Sequence, residues 1–208
     1  MSFWKENDCE PHDWLGVFTF DARWFNEPPM PNKTRTLAFI ACFSAANAAM
    51  RVALAGGPPN VKPTAFLTIV AGIVGGPGAG FAVGFLSMVV SDFFTPFGPG
   101  PWTVETSAGM AVVGLLGGLL WFRMSSFKRW KLAVGGFLLT TLFDVGTSMS
   151  DAMLFHYSWV GAVVNLYAPS PTGGAIGYPF GLVHEFTTAI LLAVIGPSLI
   201  PRLTAIYH

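Results

Sequence analysis

The sequence predicts an all-α membrane protein: a bundle of six transmembrane helices with short second and third helices and both termini in the cytoplasm. The first observation is composition, because 52% of the 208 residues are hydrophobic and only 11% are charged, which is too apolar for an ordinary soluble domain. The second is the nearly continuous apolar sequence from Leu37 to Ile200. The third is the distribution of Lys and Arg, which fall almost entirely on one side of a six-crossing bundle.

The N-terminal segment 1–35 differs from the rest and is predicted to be a cytoplasmic polar and aromatic tail. Its opening run MSFWKENDCEPHD places acids where a cleavable signal peptide has a basic stretch and an apolar core, so we expect no cleavage. Tryptophan favours the interface between membrane and water. We therefore expect the tail to dock on membrane lipid or on a partner. Its large aromatic residues are Trp4, Trp14, Phe18, Phe20, Trp24 and Phe25.

The membrane domain is predicted over residues 36–202. A helix needs roughly 20 apolar residues to cross the hydrocarbon layer, and the stretch 64–91 is long for one crossing and short for two. Within it the run Gly75-Gly76-Pro77-Gly78 interrupts a helix, because proline lacks a backbone donor and glycine frees the backbone. Two short helices that meet at this turn bring the total to six. Their predicted limits are about 36–55, 64–76, 79–93, 103–122, 132–156 and 180–200.

Positive charge favours six crossings over five. With six crossings and a cytoplasmic N-terminus, Lys62 is the one basic loop residue on the outside. Five crossings would separate the basic loop 123–131 from Lys33 and Arg35, against the rule that Lys and Arg stay in the cytoplasm. The cytoplasmic set under six crossings is Lys33, Arg35, Arg123, Lys128, Arg129, Lys131 and Arg202. We therefore expect a multi-pass protein of the cytoplasmic (plasma) membrane.

Ionisable residues gather near the outer ends of the predicted helices. A charge close to the hydrocarbon costs on the order of a few kcal/mol, so several at one depth need a common reason. A binding pocket open to the outside supplies that reason, and Asp144 lies nearest to mid-membrane. The candidate substrate-binding residues are Arg51, Asn60, Lys62, Asp92, Trp102, Glu105, Asp144, Asp151, His184 and Glu185.

These candidates also have structural interpretations. Asp92 and Glu105 could be solvated helix caps, and Arg51 could extend its alkyl stem to the interface or pair with an acid of the pocket. Lys62 could be an ordinary polar residue of a loop or part of a lid over the pocket. Trp102 could belong to an interfacial aromatic belt or stack on a planar ligand.

In the outer half and at mid-membrane, the acids outnumber the bases by five to two. A pocket lined in this way would disfavour an anion and suit a neutral or cationic solute, unless some of the carboxyl groups are protonated. The residues compared are Asp92, Glu105, Asp144, Asp151 and Glu185 against Arg51 and Lys62.

Two stripes of small residues recur at every fourth position and predict close helix contacts. The first is an alanine stripe on the first predicted helix, and its spacing alone fits internal packing and a partner surface equally well. The second is a glycine stripe, which favours packing inside a tight bundle. The alanines are Ala41, Ala45, Ala49 and Ala53; the glycines are Gly72, Gly76, Gly80 and Gly84, with Gly114 and Gly118 at the same spacing.

The block 59–118, PNVKPTAFLTIVAGIVGGPGAGFAVGFLSMVVSDFFTPFGPGPWTVETSAGMAVVGLLGG, resembles the membrane-embedded S components of energy-coupling factor (ECF) transporters. The shared pattern is an Ala-rich first helix, a short outer loop, a Gly-Pro-Gly turn between two short helices, and an Asp that ends the third helix before a Pro/Gly loop. In span number and order the resemblance extends over about 36–200. The tail lies outside it.

The resemblance implies a substrate-capturing subunit of a vitamin or micronutrient importer. Such a subunit binds a small solute from outside and works with a scaffold membrane subunit and two cytoplasmic ATPases. It also implies that the alanine stripe contacts the scaffold and that the loop 56–63 gates the pocket. The chain begins Met-Ser rather than with the Met-His hook of the cobalt and nickel branch, which argues against that branch.

Other activities find little support in the sequence. The chain has no Gly-x-x-x-x-Gly-Lys-Ser/Thr loop to hold ATP, so energy must come from a partner. The formal net charge of zero gives no electrostatic support for nucleic-acid binding. The run HEFTT resembles part of a zinc-protease helix, but Thr188 stands where the second His is required. We expect no metal and no cofactor.

Two alternatives to a capture subunit remain open. A stand-alone proton- or ion-coupled carrier would need ionisable groups through the membrane, and Asp144 alone approaches the middle. An intramembrane enzyme would need a nucleophile with a base, and His156, His184 and Ser148 show no recognisable spacing for that role. The protein is therefore predicted not to be an enzyme.

Overall fold

The computed structural model of the chain describes residues 33–55, 60–96, 98–122, 124, 127–168 and 180–208. Every regular element in these ranges is a helix. In chain order they are α1 (Lys33–Ala53), α2 (Thr64–Gly75), α3 (Pro77–Asp92), α4 (Pro101–Trp121), α5 (Arg129–Leu154), α6 (Trp159–Tyr167), α7 (Phe180–Val194) and α8 (Gly196–Tyr207). The predicted all-α class is confirmed. The predicted tail, up to residue 32, lies outside the described residues.

The break between α2 and α3 falls where the Gly-Pro-Gly turn predicts it. Gly76 has a φ of +88°, a left-handed backbone conformation that favours glycine. Pro77 follows as the first residue of α3, where its missing N–H costs no hydrogen bond. One tight turn therefore reverses the chain between two short helices.

Helix α2 is the centre of the bundle. Ten of its twelve residues are buried, and its apolar side chains form much of the core together with residues of α4, α5 and α7. A helix that is apolar on every side is stable only when it is surrounded. The other helices therefore pack around α2.

Glycines bring α2, α3 and α4 into backbone contact. A Cβ added at Gly114 would overlap the carbonyl group of Gly80, and one added at Gly72 would overlap that of Gly114. Gly84 faces Met110 across the same contact. We call this set (Gly72, Gly80, Gly84, Gly114 and Gly118) the glycine seam. It confirms close packing at the predicted glycine stripe, although the stripe is divided between two helices by the turn at Gly76.

Helix length does not by itself yield six crossings. In the described part of the chain three helices are long and apolar enough to cross a membrane, namely α1, α4 and α5, and the bent pair α7–α8 could form a fourth. Helices α2 and α3, with 12 and 16 residues, are shorter than a full crossing requires. By length and composition, the described helices therefore support three or four crossings.

Side-chain contacts define two opposite ends of the bundle. At one end Arg51, near the end of α1, pairs with Asp92 at the end of α3, and Thr103 in the first turn of α4 binds the same carboxylate. At the other end the Tyr207 hydroxyl of α8 donates to Thr36 in the first turn of α1. We call these the Asp92 end and the Tyr207 end.

Two parts of the predicted helix pattern differ from the structure. The predicted sixth helix, 180–200, is broken at Ile195 into α7 and α8, which are bent by 65°. Pro197 explains the break, because its ring clashes with the preceding turn and it donates no hydrogen bond. Helix α8 then lies beneath the end of α2, where Ile200 is buried and His208 Nε2 lies 3.2 Å from the Val74 carbonyl oxygen.

Helix α6 was not predicted. It has nine residues and begins after Ser158, whose hydroxyl accepts a hydrogen bond from the backbone N–H of Gly161 at 3.3 Å. Serine is common at the N-cap position of helices. A search of the sequence for N-cap residues could therefore have predicted α6. With nine residues, α6 is too short to cross the hydrocarbon layer, so a search for crossings does not find it.

Candidate functional site

The Asp92 end contains a buried ion pair between two helices. Arg51 Nη1 contacts Asp92 Oδ1 and donates to Ser91 Oγ at 2.6 Å, while Thr103 Oγ1 donates to Asp92 Oδ2 at 2.6 Å. Asp92 is 1% exposed, so its charge depends on these partners. The carboxylate is therefore bound from α1 by Arg51 and from α4 by Thr103, and Arg51 is a paired residue rather than an interfacial one.

Asn47 holds α1 to its neighbours one turn deeper. Its side chain is fully buried, and its Nδ2 donates to the Thr64 carbonyl oxygen, Thr68 Oγ1 and Ser87 Oγ at 3.0–3.2 Å. The sequence analysis did not single out this residue. A buried amide side chain is costly without hydrogen bonds. An Asn within an apolar helix therefore indicates a polar contact between helices, and this pattern could have identified Asn47.

Asp144 and His184 form a second buried pair, between α5 and α7. His184 Nδ1 lies 2.9 Å and 3.1 Å from the two carboxylate oxygens of Asp144. The two residues are 5% and 7% exposed. Phe143 presents its ring edge-on to the imidazole at a centroid distance of 6.0 Å. The structure thus brings together two residues that the sequence placed at different depths.

Glu185 has its own partner on α6. The Tyr167 hydroxyl donates to Glu185 Oε1 at 2.7 Å, and Glu185 is 1% exposed. Burial raises the pKa of Tyr167, and the hydrogen bond and negative charge of Glu185 raise it further. The phenol therefore stays protonated and acts as the donor.

Glu105 on α4 and Asp151 on α5 share a neighbour, Tyr157. The pKa of Tyr157 is raised by burial, then by Asp151 and then by Glu105. Glu105 Oε1 is buried and has no hydrogen-bond partner in the described part of the chain.

The loop before α2 reaches towards α7. Asn60 Nδ2 donates to the carbonyl oxygen of Phe180 at 3.0 Å, and Asn60 itself has a φ of 58°, which Asn tolerates better than most residues. Lys62 is half-buried; burial lowers its pKa, and the positive charge of Arg51 lowers it further. Trp102 is half-buried at the start of α4, where its ring lies over Gly100.

An open recess lies among α5, α6 and α7. It has a volume of about 240 Å³ and is lined by Ser148, Tyr157, Ala162, Leu166 and Phe180. On a helix, residues four apart lie on one face. Ser148 is one turn outward from Asp144, and Phe180 is one turn outward from His184. Asp144 and His184 therefore lie one turn deeper on α5 and α7 than two of the residues that line the recess. The segment 169–179, which joins α6 to α7, lies outside the described residues.

The electrostatics of the site differ from the count of acids in the sequence. Three of the five acids contact a side chain on another helix: Asp92 contacts Arg51, Asp144 contacts His184, and Glu185 accepts from Tyr167. Arg51 supplies a positive charge beside Asp92, which a count of acids does not show. Among the described residues no three His, Cys, Asp or Glu side chains converge on a point that could hold a metal ion.

The alanine stripe lies on the opposite side of α1 from the buried polar residues. Ala41, Ala45, Ala49 and Ala53 are all exposed, whereas Ser44, Asn47 and Ala48 face the bundle. We call these four residues the alanine face. No described helix packs on the alanine face, so it is a narrow surface of small side chains from Ala41 to the end of α1.

An all-helical bundle with several helices long and apolar enough to cross a bilayer is typical of an integral membrane protein. The family model for the ECF-type riboflavin transporter, S component, matches residues 31–204. The chain therefore belongs to this family of substrate-binding transport subunits, which are integral membrane proteins and not enzymes.

A curated relative supports the same grouping at low identity. The chain is 27% identical over 125 residues to a UPF0397 protein of Lacticaseibacillus casei (strain BL23), an alignment that covers 60% of this chain. The matched region spans 62% of the length of that relative.

Proposed function

We propose that the protein captures riboflavin, or a vitamin of similar chemistry, from the outside and delivers it to a scaffold membrane subunit driven by two cytoplasmic ATPases. The observation that carries the proposal is the family match over residues 31–204. The recess of about 240 Å³, which is lined by Ala162, Leu166 and Phe180 together with Ser148 and Tyr157, adds a candidate site for a neutral solute, since a ligand pocket is a concave, largely apolar space with a few placed polar groups.

The residues proposed to bind or enclose the substrate fall into three groups. We assign His184, Glu185, Glu105 and Asp151 to the substrate pocket beside the recess, with Asp144 one turn deeper on α5 than Ser148. Arg51 and Asp92 join the ends of α1 and α3. Asn60 and Lys62 form an outer lid through the contact of Asn60 with Phe180, and Trp102 borders the same end at the start of α4.

We propose six crossings with both termini in the cytoplasm, made by α1 to α5 and by α7 with α8. The support is charge: the basic residues at the start of α1, at the start of α5 and on α8 stand at the Tyr207 end, as cytoplasmic residues would. Single cysteines introduced as Lys62→Cys and Lys128→Cys should react with membrane-impermeant reagents from opposite sides. Reaction from the same side would contradict this topology.

The alanine face is the proposed contact with the scaffold subunit. Helices approach closely in a membrane where small residues leave the backbone accessible, and α1 offers four such residues on an uncovered side. The two ATPases would act through the scaffold rather than touch this chain directly.

Direct binding tests the proposed substrate. Protein purified in detergent should quench riboflavin fluorescence with a stoichiometry of about one per chain, as expected for one pocket per chain. Mass spectrometry of the purified protein should find riboflavin retained after expression in rich medium. A different retained vitamin would correct the substrate and keep the class, whereas the absence of any binding among vitamins would count against a capture subunit.

A stand-alone proton-coupled carrier is the second candidate, because Asp144 and His184 form a titratable pair buried in the bundle. Liposomes that contain only this chain and an imposed proton gradient distinguish the two. Riboflavin accumulation under these conditions would favour the carrier; accumulation only with scaffold, ATPases and ATP would favour the capture subunit.

A further inference from the structure

One hydroxyl of α5 is bonded differently from all the others on that helix. In a helix, a Ser or Thr hydroxyl can donate to the carbonyl oxygen four residues before it, and four residues of α5 do so at 2.8–3.0 Å. They are Thr140, Thr141, Thr147 and Ser150. Ser148 makes no such bond, and its side chain has no other hydrogen-bond partner in the ranges that the structure describes.

The Ser148 hydroxyl is available to a solute in the recess. The acceptor four residues before it is the Asp144 carbonyl oxygen, to which Thr147 already donates at 3.3 Å. Ser148 lines the recess, and its hydroxyl is not among the enclosed polar atoms that lack a partner. A hydroxyl can both donate and accept a hydrogen bond. Ser148 therefore offers both functions to whatever occupies the recess.

Tyr157 adds a second hydroxyl to the lining of the recess. It follows the end of α5, where its backbone N–H donates to the Ala152 carbonyl oxygen at 3.1 Å. His156, just before it, has a φ of 55°, the left-handed conformation that commonly ends a helix. This cap fixes the backbone of Tyr157 to the last turn of α5.

The Tyr157 phenol also has no hydrogen-bond partner among the described residues. Tyr167, which follows the lining residue Leu166, differs because it donates to Glu185. Burial and the nearby acids raise the pKa of Tyr157. The phenol therefore keeps its proton and can donate to a solute.

The rest of the described lining is apolar. Ala162 and Leu166 lie one turn apart on α6, and Phe180 begins α7. Ser148 precedes the last residue of α5 by six positions, which places it roughly 9 Å inward along the helix axis, whereas Tyr157 lies beyond that end. The two hydroxyls therefore stand at an inner and an outer level of the recess. A charged group of a solute would find no opposite charge among these lining residues, and an unpaired charge is costly away from water.

We propose that Ser148 and Tyr157 are specificity-determining residues that hydrogen-bond the substrate at the inner and the outer level of the recess. This inference rests on the proposed function and adds the chemical class that the recess selects. The solute is neutral, with a flat apolar body and polar groups in two separate places. Riboflavin has this form, because its ring system carries carbonyl oxygens at one edge and a chain of hydroxyl groups on the middle ring. A solute with polar groups in one place only leaves one hydroxyl without a partner and binds more weakly.

Binding of riboflavin to the full-length chain in detergent tests both hydroxyls. Ser148→Ala and Tyr157→Phe each remove one hydroxyl and keep the rest of the side chain. Each variant should bind riboflavin roughly threefold to tenfold more weakly than the wild type, the usual effect of one neutral hydrogen bond. Ser150→Ala and Tyr207→Phe are the matched controls, because the Ser150 hydroxyl donates within α5 and Tyr207 lies at the other end of the bundle. Both controls should bind riboflavin as the wild type does.

Thermal unfolding separates a binding role from a structural one. Neither hydroxyl has a partner within the described chain, so both variants should melt at the wild-type temperature when no ligand is present. Riboflavin should raise the melting temperature of each variant less than that of the wild type, because a ligand stabilises the folded state more when it binds more tightly. A lower melting temperature without ligand, together with an unchanged rise on adding riboflavin, would overturn the inference.

Lumiflavin tests the two levels separately, because it has a methyl group in place of the hydroxylated chain of riboflavin. It should bind the wild type more weakly than riboflavin does. This difference should shrink in the variant whose missing hydroxyl contacts the chain and should persist in the other variant. The same difference in the wild type and in both variants would overturn the contacts at two levels.

The riboflavin titration also distinguishes this inference from the proposed function. Unchanged riboflavin affinity in either variant would overturn the inference alone, since it requires both hydroxyls, and would leave the capture function in place. Failure of the wild type to bind riboflavin would overturn the proposed substrate and this inference together.

Discussion

The glycine seam and the alanine face share one sequence pattern and have opposite environments. Both repeat small residues at every fourth position. In the glycine seam, Gly114 stands against the backbone of Gly80, and no space is left for a Cβ atom. On the alanine face, Ala45 and Ala49 are exposed, and no described helix covers them. Equal spacing therefore marks an internal contact in one region and an uncovered surface in the other.

The difference teaches how a four-residue repeat should be interpreted. Glycine repeats where two backbones must touch, because any side chain would hold them apart. Alanine has a methyl side chain and the highest helix propensity. An alanine stripe therefore forms a flat helix surface and keeps the helix stable where no other helix packs on it. The residue type carries information that the spacing lacks.

The largest effect is expected at the centre of the glycine seam. Gly114→Leu places a side chain where the Gly80 carbonyl group already lies, and overpacking against fixed backbone costs more than the about 1–3 kcal/mol usual for side chains. We expect little or no folded protein in detergent, measured by size-exclusion chromatography and thermal unfolding. A folded variant with wild-type melting temperature would show that the seam is not tightly packed.

The alanine face should give a large functional effect with no effect on folding. Ala45→Leu or Ala49→Leu should leave riboflavin binding and the melting temperature unchanged, and should abolish riboflavin uptake when the scaffold and ATPases are co-expressed. Ala46→Leu is the control, because Ala46 is exposed on α1 outside the stripe. Uptake at wild-type level in both stripe variants would remove the partner role from this face.

The inward side of α1 should give an intermediate effect on stability. Asn47→Ala removes three hydrogen bonds to α2 and α3, and the loss should be about 1–3 kcal/mol in the free energy of unfolding. Ser44→Ala is a suitable comparison, since the buried Ser44 hydroxyl has no partner among the described residues. Equal stability of the two variants would mean that Asn47 does not hold α1 in place.

The smallest effect is expected at a glycine outside the seam. Gly146 lies inside α5, and a Cβ added there would meet nothing within 4 Å. Gly146→Ala should therefore stabilise the helix by about 0.5–1 kcal/mol, seen as a small rise in melting temperature. Destabilisation comparable to that of a seam variant would erase the distinction between the two kinds of glycine.

The sequence predicts a set of candidate site residues but not which of them are in contact. The set comes from the restriction of charges to the ends of the predicted helices. The sequence did not predict that Arg51 and Asp92, 41 residues apart, or Asp144 and His184, 40 residues apart, would be partners. A count of acids and bases in the sequence does not contain this pairing.

The sequence by itself determined the helical class, the membrane location, the break at Gly76-Pro77 and the contact of the glycines with other helices. These features depend on hydropathy and backbone propensity, which act between near neighbours along the chain. Only the tertiary structure decided which acid meets which partner, that the alanine face is uncovered, and that α8 turns beneath α2. These features depend on distances between residues far apart in sequence, and packing of the whole bundle fixes those distances.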